Sequence, residues 1–183
     1  MSTTPAVREL DSPGWRLAAG ALTCHAYQSA LALVIQRHFQ CSTVGLWRIV
    51  GARGERTLHS IGRYGTTGEP LPATAALAEA QLGLYFNVLN ARGAYACDDA
   101  LLDLRIDPLG IRCLRRDAPR AFLDALVAIN GHAFGVLSCC QDFGSRRWQV
   151  DEETTLKRLG ARVALHLTRA VPPVIDSDCG TGA

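Results

Sequence analysis

Lysine is nearly missing from this sequence. Of its 19 basic residues one is Lys157 and the rest are arginine. That bias, alongside abundant alanine, reads as coding preference rather than phosphate binding. The basic side chains are offset by 17 acidic ones to a formal net charge of +2, so no chain-wide field draws nucleic acid. The densest basic run, "IRCLRRDAPR" at residues 111–120, reads as a solvated face. No stretch approaches the roughly 18 uninterrupted apolar residues of a membrane span. The start, "MSTTPAVRELDSPGW", lacks the charged, apolar and small-residue order of a secretory leader. A soluble, cytoplasmic protein with neither nucleic-acid nor membrane partners is expected. G-x-S-x-G, H-E-x-x-H and G-x-x-x-x-G-K-[ST] are all absent, which removes those hydrolase and nucleotide-binding classes.

The 7 cysteines (24, 41, 97, 113, 139, 140 and 179) are odd in number and irregularly spaced, without a C-x-x-C. This excludes a secreted disulfide framework and a zinc ribbon, and most are expected to be reduced core residues. His38 and Cys41 have a ligand-like gap, but no second pair completes four ligands, so no metal is assigned. His25 and His166 read as boundary histidines rather than axial haem ligands. Neighbouring side chains on a strand point to opposite faces. Cys139 and Cys140 therefore cannot line one pocket together, and burial is favoured over redox work.

What is present fits one domain: 183 residues, 48% hydrophobic. Residues 1–13 are polar with two prolines and are expected to be a flexible lead. Residues 14–39 are helical in pattern, with Leu17, Ala21, Cys24, Gln28, Leu31 and Ile35 on one stripe. Leu22, Ala26 and Leu33 form a second, weaker stripe that suggests a partner helix. "CSTVGLWRIV", "GARG" and "ERTLHSIGRYG" read as two strands and a turn. Alanine- and leucine-rich residues 73–90 are predicted helical, and "AYAC" a short strand. Residues 99–117 read as loop and short helix, where Asp99 and Asp103 are expected to cap local turns rather than act as an acid–base pair. "AFLDALVAI" and "AFGVLSCC" flank an Asn-Gly turn as a hairpin. Asp151 is the expected N-cap of a final helix carrying Leu156, Leu159, Val163, Leu167 and Ala170. Arg158, Arg162 and Arg169 take another face of that helix. Residues 171–183 are expected to be a disordered tail. This order suits an α+β domain with an antiparallel sheet.

Several segments, in order, resemble the GAF domain family across residues 14–170. "LYFNVLNARGAYACDDALLDLR" is similar to its helix, short strand and "D-A-x-x-D-x-R" loop, here Asp99, Ala100, Asp103 and Arg105. "LGIRCLRRDAPRAFLDALVAINGHAFGVLSCC" resembles its "G-I-x-S-x-L-D-A-P-I", turn and "G-V-L". "RRWQVDEE" resembles its closing tryptophan and acidic helix start. Leu126 stands where the family often has proline, and Cys140 and Gln141 where it often has glutamate and histidine. The resemblance is closest to GAF domains of bacterial sensor kinases and cyclic-dinucleotide signalling proteins.

The resemblance implies an antiparallel sheet with the N- and C-terminal helices on one face and a pocket on the other, formed with residues 73–117. Pocket candidates are Tyr85, Cys97, Asp99, Leu101, Cys113 and Phe122. It further implies a small-molecule sensor with no catalytic residues, signalling through a homodimer of the first and last helices or through a partner protein. No cofactor is required. Haem and bilin motifs are not found, since Cys113 is followed by Leu114 and not histidine, and the cyclic-nucleotide "N-K…F…D-E" pattern is missing. The enzymatic alternative is a free methionine sulfoxide reductase, which Cys97 before Asp98 resembles. That group's "S-E-I-V-V-P-I" strand is replaced here by "AFLDALVAI". A structural dimerisation module is a third reading. Trp148 is expected to cover the sheet end, and Gly131 and Gly135 to serve a turn and a close backbone approach.

Overall fold

A computed structural model describes residues 4–82, 84–106 and 119–170. Strands β1 (Thr43–Val50), β2 (Thr57–Tyr64), β3 (Leu77–Ala78), β4 (Ala94–Cys97), β5 (Ala121–Ile129) and β6 (His132–Gln141) form one antiparallel sheet in the order β3-β2-β1-β6-β5-β4. β5 and β6 meet at Asn130-Gly131, with φ of 50° and 78°. Positive φ at both positions gives the turn whose twist matches the flanking strands. At Gly135, a Cβ would lie 2.4 Å from the carbonyl oxygen of Trp47, so the backbone approach there admits only glycine.

Three helices cover one face: α1 (Pro5–Ala18), α2 (Cys24–Phe39) and α4 (Val150–Ala170). Their apolar residues join Val44, Leu46, Leu123, Ala125, Val127, Leu137 and Cys139 in one core. Leu156, Leu159 and Val163 of the expected α4 stripe are buried, and Leu167 and Ala170 pack at its edge. Helix α3 (Tyr85–Arg92) lies on the opposite face.

Four expectations are corrected. The flexible lead is instead helix from Pro5 on, with Ala6, Val7 and Leu10 buried. Its polar residues occupy the outward side of an amphipathic turn, and proline at the first helical position is pre-set for a helix start. The single helix over 14–39 is two helices, parted at residues 19–23, with Thr23 Oγ1 capping α2 through the Ala26 amide at 3.2 Å. Cys24 of the predicted stripe is consequently exposed.

Residues 73–90 are helical only from Tyr85. Before it come an extended run, β3 and a 3-10 turn, Glu79–Gln81. Here tertiary partners override propensity. Leu77 pairs with Leu58, and Glu79 accepts hydrogen bonds from Arg56 Nε (2.9 Å), Arg56 Nη2, and the amides of Gly54 and Arg56. The Arg56 guanidinium holds Glu79 down at about 2 and lies 4.1 Å over the Phe86 ring. Finally, α4 begins at Val150, ahead of Asp151, and the Glu152 carboxylate accepts the Gln149 amide at 2.8 Å. The expected tail, 171–183, lies outside the described residues.

The α4 arginines face α1. Arg162 pairs with Asp11 at 3.2 Å, and Arg169 lies 4.9 Å over Trp15. Between them His166 is buried against Gly14, where a Cβ would sit 2.2 Å from its ring, and its Nδ1 meets the Tyr27 hydroxyl at 2.8 Å. Burial pushes His166 below its ordinary pKa. His25, on α2, is exposed. No described helix is long and apolar enough to cross a membrane.

Candidate functional site

Alternation along the strands sends every second side chain away from the helices. In register, this builds two rungs across four strands. One reads Gly45, Ser138, Asp124, Tyr95, and the next Thr43, Cys140, Phe122, Cys97. Gly45 leaves room for Trp47, whose indole nitrogen would lie 2.7 Å from a Cβ at that position. Gly45, Ser138, Asp124, Thr43, Cys140 and Phe122 of these rungs line a cavity of about 250 Å³. Trp47, Leu58 and Arg63 form one side, Ala73, Thr74, Leu77 and Leu82 another, and Tyr85 of α3 closes over the floor.

Asp124 is the chemical centre. It is 6% exposed in otherwise apolar β5, yet its side chain faces the cavity. Tyr85 donates its hydroxyl to Oδ2 at 2.6 Å, and Ser138 donates to Oδ1. Burial raises the carboxyl to about 6 against the opposing pull of these two hydroxyls. Among the described residues no cation pairs with it. Arg63, the cation lining the same cavity, donates Nη1 to the Pro72 carbonyl at 3.3 Å. Asp142 accepts from Thr43 Oγ1 at 2.7 Å. Thr74 Oγ1, buried in the wall, has no hydrogen-bond partner among the described residues.

The two adjacent cysteines divide between the faces. Cys139 is fully buried beneath the helices, where burial pushes its thiol up and it hydrogen-bonds Cys41. Cys140 lines the cavity, its thiol also raised by burial and then by Asp124. Burial thus opposes a thiolate at Cys139 and at Cys140, while the hydrogen bond from Cys139 lowers the Cys41 thiol. Since Cys41 turns to Cys139 while His38 Nε2 lies 3.7 Å from Glu9, the ligand-like gap between His38 and Cys41 gathers no metal donors. Among the described residues no cluster of three or more metal-ligating side chains occurs.

Of the six candidates read from sequence, Tyr85 and Phe122 line the cavity. Cys97 is wholly buried beside Phe122, with its thiol pushed up by burial and by Asp103. Asp99 lies off the cavity in an ion pair with Arg120 Nη2 at 2.6 Å, and its Oδ1 accepts the Leu101 amide at 3.0 Å. Leu101 is 61% exposed and does not line it. Cys113 lies outside the described residues. Asp103, which burial alone would raise, is held at about 2 by Arg105 Nε (2.8 Å), the Arg105 amide and the Tyr95 hydroxyl. The "D-A-x-x-D-x-R" aspartates thus build a loop. Trp148 is buried and donates Nε1 to the Cys97 carbonyl at 3.1 Å, fastening the sheet end.

Asp124, Ser138 and Trp47 are not among the residues the sequence reading names, and Cys140 is named there as a buried strand cysteine and not as a pocket residue. For Asp124 a signal existed: one charge inside an apolar strand asks for a buried partner. Its partners lie 14 and 39 residues away, and no local pattern names them.

An antiparallel sheet with terminal helices behind it and a cavity before it is an α+β architecture. The sequence matches the model of the GAF domain over residues 25–167, so the chain belongs to the GAF domain family. No curated protein sequence matches it significantly. Similar solved structures include a far-red absorbing dark-state protein with bound biliverdin (TM-score 0.72, 14% identity, 90% of this chain and 98% of that one). Another is the free methionine-R-sulfoxide reductase of Neisseria meningitidis in complex with its substrate (0.65, 14%, 93% and 94%). A third is the GAF domain of an Acinetobacter phosphoenolpyruvate-protein phosphotransferase (0.61, 12%, 92% and 96%). At these identities the likeness is one of fold.

Proposed function

We propose that this chain is a sensory or regulatory GAF domain that takes a small molecule against β1, β5 and β6 and passes the event to its helix layer. The observation that carries the reading is Asp124, a buried, hydrogen-bonded carboxylate turned into a cavity of about 250 Å³. Convergent polar groups in an apolar pocket are the usual mark of a ligand site. The route outward is short. β5 shows Phe122 and Asp124 to the cavity and Leu123 and Ala125 to the helices. At Gly160 of α4, a Cβ would come within 2.9 Å of the Leu126 carbonyl oxygen, so α4 rests directly on β5. A ligand that shifts β5 therefore shifts α4, and with it either a homodimer or a partner protein. A cavity of about 250 Å³ suits a compact ligand.

Thermal melts against pools of small metabolites, with light scattering of the apo and loaded protein, test this. A strictly monomeric protein whose melting point no pool raises would end the reading.

The enzymatic alternative draws support from the reductase-like fold, but burial at Cys97 opposes the thiolate that such chemistry requires. Free methionine sulfoxide with a thioredoxin system should give no NADPH consumption. Turnover lost on Cys97→Ser would revive it.

A further inference from the structure

Among the described residues Asp124 has two hydroxyl partners and no cation. Each carboxylate oxygen accepts a single hydroxyl, from Ser138 or Tyr85, and retains a lone pair. An ionised carboxylate so buried is costly until a cation or further donors meet it. The described neighbours do not supply that cation. β6 contributes Ser138 and Cys140, α3 contributes Tyr85, β4 places Tyr95 opposite, and β1 offers only Gly45. The charged residues lining the cavity are Arg63, Asp124 and Asp142, a formal balance of one negative charge among the described residues. Trp47, Tyr85 and Phe122 line it too, and aromatic faces attract cations.

Resting on the small-molecule reading above, we infer that the ligand is a compact amine: an apolar or aromatic body whose protonated nitrogen sits against the Asp124 carboxylate. An anionic ligand would meet two carboxylates, and a neutral apolar one would leave Asp124 buried without its counter-charge. The charge-assisted hydrogen bond supplies both orientation and selectivity. The raised carboxyl of Asp124 gives the binding a direction with pH: affinity grows as Asp124 ionises, while the amine remains protonated.

Three probes of one shape test this on the full chain: 2-phenylethylamine, 2-phenylethanol and 3-phenylpropanoate, followed by calorimetry from about pH 5 to about pH 8. The amine is expected to bind at least about tenfold more tightly than the alcohol above pH 7, with that advantage shrinking below pH 6. Asp124→Asn should abolish the advantage, whereas Leu101→Ala, off the cavity, should keep it. If Asp124→Asn does not fold, the pH profile of the unaltered protein decides. Equal binding of amine and alcohol, a preference for the acid, or an amine preference that ignores pH would overturn the inference while the small-molecule reading stands. Failure of all three probes would overturn the inference, and failure of the metabolite pools as well would take the broader reading with it.

Discussion

On its helix-covered face the sheet presents Val44, Leu123, Ala125, Leu137 and Cys139, each at most 2% exposed. The same strands turn Gly45, Phe122, Asp124, Ser138 and Cys140 to the cavity. The first set is interchangeable hydrophobic filler in a close-packed layer. The second mixes aromatic, hydroxyl, thiol and carboxylate groups around open volume. Adjacent residues thus belong to different parts of the protein, and a one-residue register slip would exchange them. Cys139 and Cys140 make the point within a single dipeptide.

Substitutions that strike one face at a time sharpen this contrast. The largest effect is expected from Leu123→Ala, which opens a void in the helix-side core and should cost about 4 kcal/mol in urea unfolding, where a loss under 1 kcal/mol would contradict the packing. Next comes the pH dependence set by Asp124. Its folded value of about 6 lies above the ordinary 3.8, so the proton it retains stabilises the fold fully below about pH 4, and that contribution is lost as pH rises through 6. The contribution of Asp124 should therefore fall by about 3 kcal/mol between these limits, read as the difference between the pH curves of the unaltered protein and Asp124→Asn. Asp124→Asn, which does not titrate, should flatten that stretch of the curve. Third, Cys139→Ser places a hydroxyl in the dry layer and should cost about 2 kcal/mol. Cys140→Ser should cost under 1 kcal/mol, because its side chain stands among polar neighbours. Equal costs would show that the faces do not differ as described. The smallest effect is expected for Leu101→Ala: within about 0.5 kcal/mol in stability, with no change in probe affinity.

Much of the framework was readable in advance because it rests on local periodicity. The hairpin of β5 and β6, the short β4 and the stripe Leu156, Leu159, Val163 follow from spacings of two and of three to four residues. The division of the cysteines followed from strand alternation alone. Elsewhere local signals misled. Residues 73–82 are composed like a helix, but Leu58 pairs with Leu77 and Arg56 holds Glu79, which keeps them out of an α-helix. Residues 5–13 look like a polar lead, but α4 supplies the surface that Ala6, Val7 and Leu10 cover. At the site, Tyr85 and Phe122 were reachable through family resemblance. Asp99 and Leu101 followed the same motif and lie off the cavity.

The sequence by itself determined the family, the antiparallel class of the sheet, and which residues of each strand share a face. These depend on neighbours a few positions apart. Only the tertiary structure decided that Asp124 meets Ser138 across a strand pair and Tyr85 from α3, and that Gly45 clears space for Trp47. Such facts depend on strand register and on how α3 lies over the sheet. The charge state of a carboxylate is set by what surrounds it in space, and the chain brings those surroundings from several distant segments.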